Sequence, residues 1–475
     1  MPESRWIRGT NVNSGDTAWV LASAALVMLM TPGLAFFYGG MVGVKSVLNM
    51  LMMNFICLGV VSTLWLLYGY SETFGDDAYY GLVGDMSHAL LRATQGTLSG
   101  PVGHQIPTMA FVMFQLMFAV ITTALITGAI AGRTRFWSWI LFVVLWVTVV
   151  YFPVAHWVFH LDGFTDTDPS GASSDVGGWI ANRLGAFDFA GGTAVHINAG
   201  SAALALTLVI GKRYGWPRNI SRPHNVPFTL LGASLLWFGW YGFNAGSALA
   251  AGDLAALAFT NTTIATGVAS FAWIVVEQLR DGKPTTIGAS SGAVAGLVAI
   301  TPACGFVGAV GALCIGIAAG VCCALAVSLK YTFGYDDSLD VVGVHLVGGL
   351  VGTLLVGLFA DASVNPAGGN GLLYDGGFTQ LQRQAIASVA VMGYSFLATL
   401  LLAWIVDRLV GLRVDPESEA DGIDESEHAE SAYSLNIPPG TLAPVPVQPR
   451  ILPRPQGLPA PLRGPTTTSG DRRLR

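Results

Sequence analysis

The sequence predicts an all-α membrane protein of eleven transmembrane helices, and three observations carry that prediction. Charged residues make up 11% of the chain, where a soluble domain carries about 25%. Hydrophobic residues make up 52%, and mean hydropathy is +0.57. The apolar residues are gathered into eleven stretches of about 20, the length one helix needs to cross the hydrocarbon core. Inside lipid every backbone N–H and C=O must be paired within its own segment, so helices follow.

In order, the stretches fall near 17–42, 47–71, 106–131, 136–159, 190–211, 226–246, 254–279, 286–303, 305–329, 341–360 and 383–409. Glycine, 59 of 475 residues, exceeds the usual share of about 7%, and small residues let helices in lipid approach closely. Cys57, Cys304, Cys314, Cys322 and Cys323 all lie in apolar stretches, so they read as small core residues and not as a disulfide framework. Residues 1–16 are polar, without the short apolar segment and cleavage site of a signal peptide. They read as an extracellular segment before a first span that stays inserted.

Orientation follows from the excess of Lys and Arg in cytoplasmic loops. One alternating set of loops holds Lys45, Arg133, Arg135, Lys212, Arg213, Arg218, Arg222, Arg280, Lys283 and Lys330, and the other only Arg92, Arg183 and Arg383. The first set is therefore read as cytoplasmic, with the N-terminus outside and the C-terminus inside; Arg5 and Arg8 argue weakly the other way. The membrane domain is read as 17–411. A cytoplasmic acidic region, 412–436, follows, with eight acidic residues between Asp415 and Glu430, and then a Pro-rich tail, 437–475, read as disordered. The terminal Arg472, Arg473 and Arg475 are either an inert solvated end or a contact with membrane lipid. A net charge of −6, concentrated in loops and tail, suggests no nucleic-acid partner.

Spans one to five and six to ten read as an inverted five-plus-five repeat, clearest at the fifth and tenth. Asp188 lies eight residues before His196 and Asp337 eight before His345, and Gly200 and Gly349 each follow their histidine by four. Repeats of this kind place a substrate path at their interface, near the midplane. A histidine early in an apolar helix is costly and normally faces a bundle interior or a cavity. The competing reading is a buried ring satisfied by a backbone carbonyl. Burial biases both rings toward the neutral form, able to accept, donate or pass a proton. No Cys, Glu or further His stands at ligand spacing beside either histidine, so a metal site of three or four ligands is not expected. The spans also lack a nucleophile elbow, paired carboxylates and a phosphate loop, so an enzyme is not expected.

At these residues the sequence resembles the Amt/Mep/Rh ammonium transporters, and the bacterial Amt branch most. The resemblance rests on Asp188-Phe-Ala-Gly-Gly-Thr-Ala-Val-His196-Ile-Asn, Trp240-Tyr-Gly-Phe-Asn-Ala-Gly-Ser247, Asp340-Val-Val-Gly-Val-His345, Thr31-Pro-Gly-Leu-Ala-Phe-Phe-Tyr-Gly-Gly40 and Thr301-Pro-Ala-Cys-Gly305, and runs from about Thr17 to Tyr433. It implies an ammonium or ammonia transporter of the cell membrane, serving nitrogen utilization, with no cofactor and one apolar pore in each subunit of a homotrimer. By the same resemblance His196 and His345 are the twin pore histidines, and Phe118 and Phe243 stack as a gate. Ser247 and Phe159 belong to an outer recruitment site, with which the pore-lining Trp240 is grouped, and Asp188 is a buried structural carboxylate. Phe159 departs from the tryptophan usual in bacterial relatives. Gly411-Leu-Arg-Val414 and the acidic segment through Tyr433 resemble the family's C-terminal region, which implies a possible PII-type regulatory partner at the cytoplasmic face. The basic loops at 212–222 and 280–283 offer charges on which the acidic segment could dock, each exposed pair being individually weak.

Each assignment has a plainer alternative in the residues themselves. Phenylalanines in spans commonly pack against lipid or core, Ser247 can bond its own helix backbone, and Asp188 can be an exposed loop carboxylate. His88, His104, His160, His224 and His428 are placed in loops or tail with no role, and His156 at the membrane interface. Two other functions stay open: an ammonium sensor, and a channel for another small neutral solute such as carbon dioxide, water or urea.

Overall fold

The computed structural model describes residues 12–433 except Pro169 and Asn219. The Pro-rich tail 437–475 and the extreme N-terminal residues 1–11, with Arg5, Arg8, Arg472, Arg473 and Arg475, therefore lie outside the described residues. Ten helices among the described residues are long and apolar enough to cross a membrane: α1 (Ser14–Met41), α2 (Val47–Phe74), α3 (Thr108–Ile130), α4 (Phe136–Phe159), α5 (Gly192–Ile210), α6 (Val226–Gly246), α7 (Asp253–Asp281), α9 (Ala309–Phe333), α10 (Val342–Phe359) and α11 (Thr379–Val410). The stretch expected at 286–303 forms a shorter apolar helix, α8 (Thr286–Ile300), of 15 residues. It rises only about 22 Å, and the chain continues in turns through residues 301–306.

Burial sorts the helices into an inner and an outer set. Almost all of α3 and α5 is enclosed, whereas α2, α7 and α11 turn large apolar side chains such as Phe55, Phe271 and Leu397 outward. Outward apolar side chains suit a lipid solvent. Helices α1 and α6 pack along much of their length because glycines remove the side chains between them. A Cβ on Gly232 would stand 2.6 Å from the Gly33 carbonyl, and one on Gly239 2.6 Å from that of Leu26.

The acidic segment reaches one of the two basic loops, 212–222, but docks mainly through backbone amides. It forms two short helices, α12 (Pro416–Asp421) and α13 (Asp424–His428), and its carboxylates take backbone amides, not the side chains of the basic loops. Asp424, 2% exposed, accepts from the N–H groups of Leu48 (3.1 Å) and Asn49 (2.8 Å) at the start of α2. Glu427 accepts from Phe136 N–H (2.8 Å) at the start of α4, and Glu419 from Tyr214 N–H (2.6 Å) and the Arg413 guanidinium (2.7 Å). Arg413 in turn donates to the carbonyls of Ile210 and Lys212 at the end of α5. Helix starts offer unsatisfied N–H groups and a partial positive charge, so they are the stronger partners for a carboxylate. Arg280, of the other basic loop, bonds Asp281 and the Ala324 carbonyl instead.

Candidate pore and vestibule

Two aspartates prepare the two helix starts that carry the histidines. Asp188, half-buried, accepts from the N–H groups of Gly191 (2.7 Å), Gly192 (2.6 Å) and Thr193 (2.7 Å) and from the Thr193 hydroxyl. A carboxylate at a helix start satisfies orphan donors and complements the macrodipole. Asp337 does the same for α10 through Val342 N–H (2.7 Å), while its second oxygen is buried without a partner. Burial first, and then Asp340, push the Asp337 carboxyl above the usual carboxylate range despite the opposing pull of Lys330.

Each capped start winds as a π-turn, Gly192–Ile197 and Val342–Leu346, and each π-turn holds a histidine. The wider turn recurs where helices serve a site. His196 and His345 are both buried, with ring centroids 5.4 Å apart, planes 24° from parallel and Nδ1 to Nδ1 3.3 Å. A hydrogen bond between two imidazole nitrogens holds one proton, so the neutral pair has one ring protonated at Nδ1 and the other at Nε2. The pair therefore offers one bare Nε2 and one Nε2–H. The Nε2 of His196 has no partner among the described residues.

Around the pair lies a narrow apolar cavity lined by Leu34, Ile121, Val195, Trp240 and Phe243. Trp240 stacks on His196 at 5.4 Å and 19°, its indole N–H donating to Thr301 Oγ1 at 2.9 Å. At one end Phe118 and Phe243 stack at 4.2 Å and 20°, the second ring 6.1 Å from that of His196. Beyond them a vestibule of about 350 Å³ is lined by Phe118, Phe159, Phe187, Asp188, Ser247 and Asn365, among others. Phe159 meets Phe118 edge-on at 5.9 Å, and the Ser247 hydroxyl donates to the Phe243 carbonyl at 2.8 Å, which leaves its oxygen free to accept.

The structure thus gathers Phe118, Phe159, Asp188 and Ser247 at the vestibule and places His196, His345 and Trp240 together beyond the phenylalanine pair. Trp240 is 1% exposed and lines the inner cavity, not the outer site with which it was grouped. His156 stands corrected, being fully buried on the Thr73 carbonyl (2.8 Å), and His160, in a loop as expected, is fully buried too, on Asp175 (2.8 Å). Packing of the loop over the end of α4 encloses them, which hydropathy does not register. Two residues that matter for this arrangement, Phe187 and Gln384, escape the sequence reading; the only signal of Gln384 is an amide in an apolar span.

Fold and site together define a polytopic α-helical membrane protein with a histidine pair buried between two capped helix starts. Comparison with known proteins makes this specific. The profile of the Ammonium Transporter Family matches residues 18–433, and the chain belongs to that family. An ammonium transporter of Mycobacterium tuberculosis (strain ATCC 25618 / H37Rv) is 57% identical over 91% of this chain and 93% of its own. Among solved structures, Mep2 of Candida albicans is 31% identical with a TM-score of 0.77, covering 90% of this chain and 94% of that one. A structure described as a Sensor Amt Protein is 29% identical with a TM-score of 0.77, over 87% and 98%.

Proposed function

We propose that this protein carries ammonium across the cell membrane as ammonia plus a separately handled proton, through the cavity lined by His196 and His345. The single observation that carries the reading is the 3.3 Å Nδ1 contact of two buried histidines directly beyond the stacked Phe118 and Phe243. Moving a bare ammonium ion into so apolar a cavity costs far more than a few hydrogen bonds return, whereas ammonia is small and neutral. At the vestibule the rings of Phe118 and Phe159 and the free lone pairs of Ser247 replace part of the ion's water. Past the phenylalanine gate the bare Nε2 accepts from ammonia, the Nε2–H donates to it, and the shared Nδ1 proton gives the pair a route for the separated proton. Potassium has no proton to give up, so the same cavity excludes it.

In this reading α1–α11 are eleven spans, α8 being the short one, arranged as an inverted five-plus-five repeat with the N-terminus outside and the C-terminus inside. The matching Asp188 and Asp337 caps and the distribution of Lys and Arg support that arrangement. Residues 17–411 form the transport domain and 412–436 the cytoplasmic acidic region. The subunit assembles as a homotrimer in membrane lipid, and the docked acidic region offers a face to a PII-type regulator. A second reading, an ammonium sensor, draws on the likeness to the Sensor Amt Protein. Passage of another neutral solute is the third.

Current recording on reconstituted protein tests the proposal. Ammonium pulses should give a sustained current absent with potassium, and methylammonium uptake should be competed by ammonium. Uptake indifferent to ammonium would overturn the reading in favour of another solute, and binding without flux would favour the sensor.

A further inference from the structure

We infer that Gln384, on α11, is a positioning residue that sets the vestibule wall against both histidine-bearing helices. Its amide is fully buried. Oε1 accepts from Phe187 N–H at 2.7 Å, and Nε2 donates to the Phe187 carbonyl at 2.7 Å, so the side chain pairs with that residue as a neighbouring β-strand would. Nε2 also donates to the Thr353 carbonyl of α10 at 3.1 Å, and Oε1 accepts from Gln380 Nε2 at 3.1 Å. All four hydrogen-bonding positions of the amide are used. Only one orientation serves, because reversing it would set Oε1 against two carbonyls and Nε2 against two donors.

The consequence lies one residue further along. Phe187 precedes Asp188, the cap of the helix start that carries His196, and both line the vestibule. The Phe187 ring stacks on Phe306 at 4.8 Å, and Phe189 N–H donates to the Pro302 carbonyl at 3.1 Å. Between this ring stack and this hydrogen bond, the Gln384 amide is the group that fixes the backbone of Phe187 and ties it to α10, the helix of His345. An irregular segment whose backbone groups are enclosed needs such a partner, since a buried amide left unpaired is costly. Gln380 extends the clamp by donating to the Gly185 carbonyl at 3.3 Å.

This inference rests on the transport reading for its kinetic consequence but not for its structural one, and two variants separate them. Gln384→Met keeps the volume and removes all four bonds. Gln384→Glu keeps the acceptors and regains one donor only when protonated. Amide exchange across residues 185–193, measured on the intact protein without any transport, should accelerate at Phe187 in Gln384→Met. Ammonium uptake by the same variant should show an apparent KM raised about five- to tenfold, the equivalent of about one of the four lost hydrogen bonds being expressed at the vestibule wall, with Vmax near the parent's. Gln384→Glu, normalised to the parent at each pH, should be parent-like at low pH and Met-like at high pH, a dependence that simple packing at this position does not produce. Unchanged exchange at Phe187 overturns the clamp whatever the protein transports. Faster exchange with an unchanged KM, or a Glu variant indifferent to pH, overturns its role in positioning. A parent without ammonium flux refutes the transport reading and leaves the clamp to be judged by exchange.

Discussion

Replacing Asp424 by Ala should loosen the acidic segment from the membrane domain without unfolding either. The carboxylate is 2% exposed and accepts from two N–H groups, Leu48 at 3.1 Å and Asn49 at 2.8 Å, in the first turn of α2. Losing a side-chain cap costs about 0.5–2 kcal/mol, and losing the negative charge at a helix start about 0.3–1 kcal/mol more. The sum, roughly 1–3 kcal/mol, is a drop of about 5- to 150-fold in the docking equilibrium. Glu427 on Phe136 N–H, Glu419 on Tyr214 N–H and Arg413 on the end of α5 remain, so the variant should weaken docking and the Asp424→Ala, Glu427→Ala pair should weaken it further. Asp424→Asn keeps one acceptor and should lose about half as much. Hydrogen exchange at Leu48 and Asn49, with proteolysis of residues 413–433, reads the equilibrium directly. For function, truncation after Leu412 removes every one of these contacts and should lower or deregulate methylammonium uptake, whereas truncation after Asn436 spares them and should leave uptake nearly intact. Unchanged exchange in Asp424→Ala, or equal uptake by the two truncations at equal membrane levels, would refute the reasoning.

Three further outcomes are expected. His196→Ala or His345→Ala should impair ammonium-specific transport or admit potassium, because the shared proton and the ammonia hydrogen bonds vanish together; unchanged flux and selectivity in both would contradict the proposed pore. Phe159→Trp should improve apparent ammonium affinity about two- to fivefold, the worth of a better cation-π face at an exposed site; saturation kinetics at low ammonium check this, and unchanged or weaker affinity would mean that the ring does not meet the ion. Burial holds the Asp337 carboxyl above its value in an unfolded chain. The folded state then binds more protons between the unfolded and folded values, and stability falls as pH rises through them. Asp337→Asn keeps an acceptor for Val342 N–H without the buried charge, so it should raise thermal stability where the carboxyl is ionised, by on the order of 1 kcal/mol, and lose that advantage in acid where the carboxyl is protonated in both states; melting across pH in detergent checks it, and an offset independent of pH would show that the carboxyl does not titrate as described.

Much of the fold was legible because lipid as a solvent writes a local rule. Each span needs its own run of apolar residues, so the run at 136–159 coincides with α4 and that at 226–246 with α6, and the remaining helix ends differ by a few residues. The stretch at 286–303 reads like the others in composition, yet its helix stops at Ile300. Thr301 and Pro302 break the helix and supply the Trp240 and Phe189 contacts, a stop that apolar composition does not announce.

By itself, the sequence determined the apolar helices, the family and the identity of the two histidines, since hydropathy and motif are properties of contiguous residues. The tertiary structure decided everything that depends on distance between segments. His196 and His345 lie 149 residues apart in the chain and 3.3 Å apart at Nδ1. Trp240 joined the inner cavity because α6 packs it on His196, and His156 was enclosed by a loop over its helix end. In the acidic segment Asp424 and Glu427 took helix-start amides while Glu419 took the Tyr214 amide and the Arg413 guanidinium, and Gln384 found the backbone of Phe187. These choices follow from which groups the packed helices leave unsatisfied, and a buried donor or acceptor without a partner costs more than any single residue's preference.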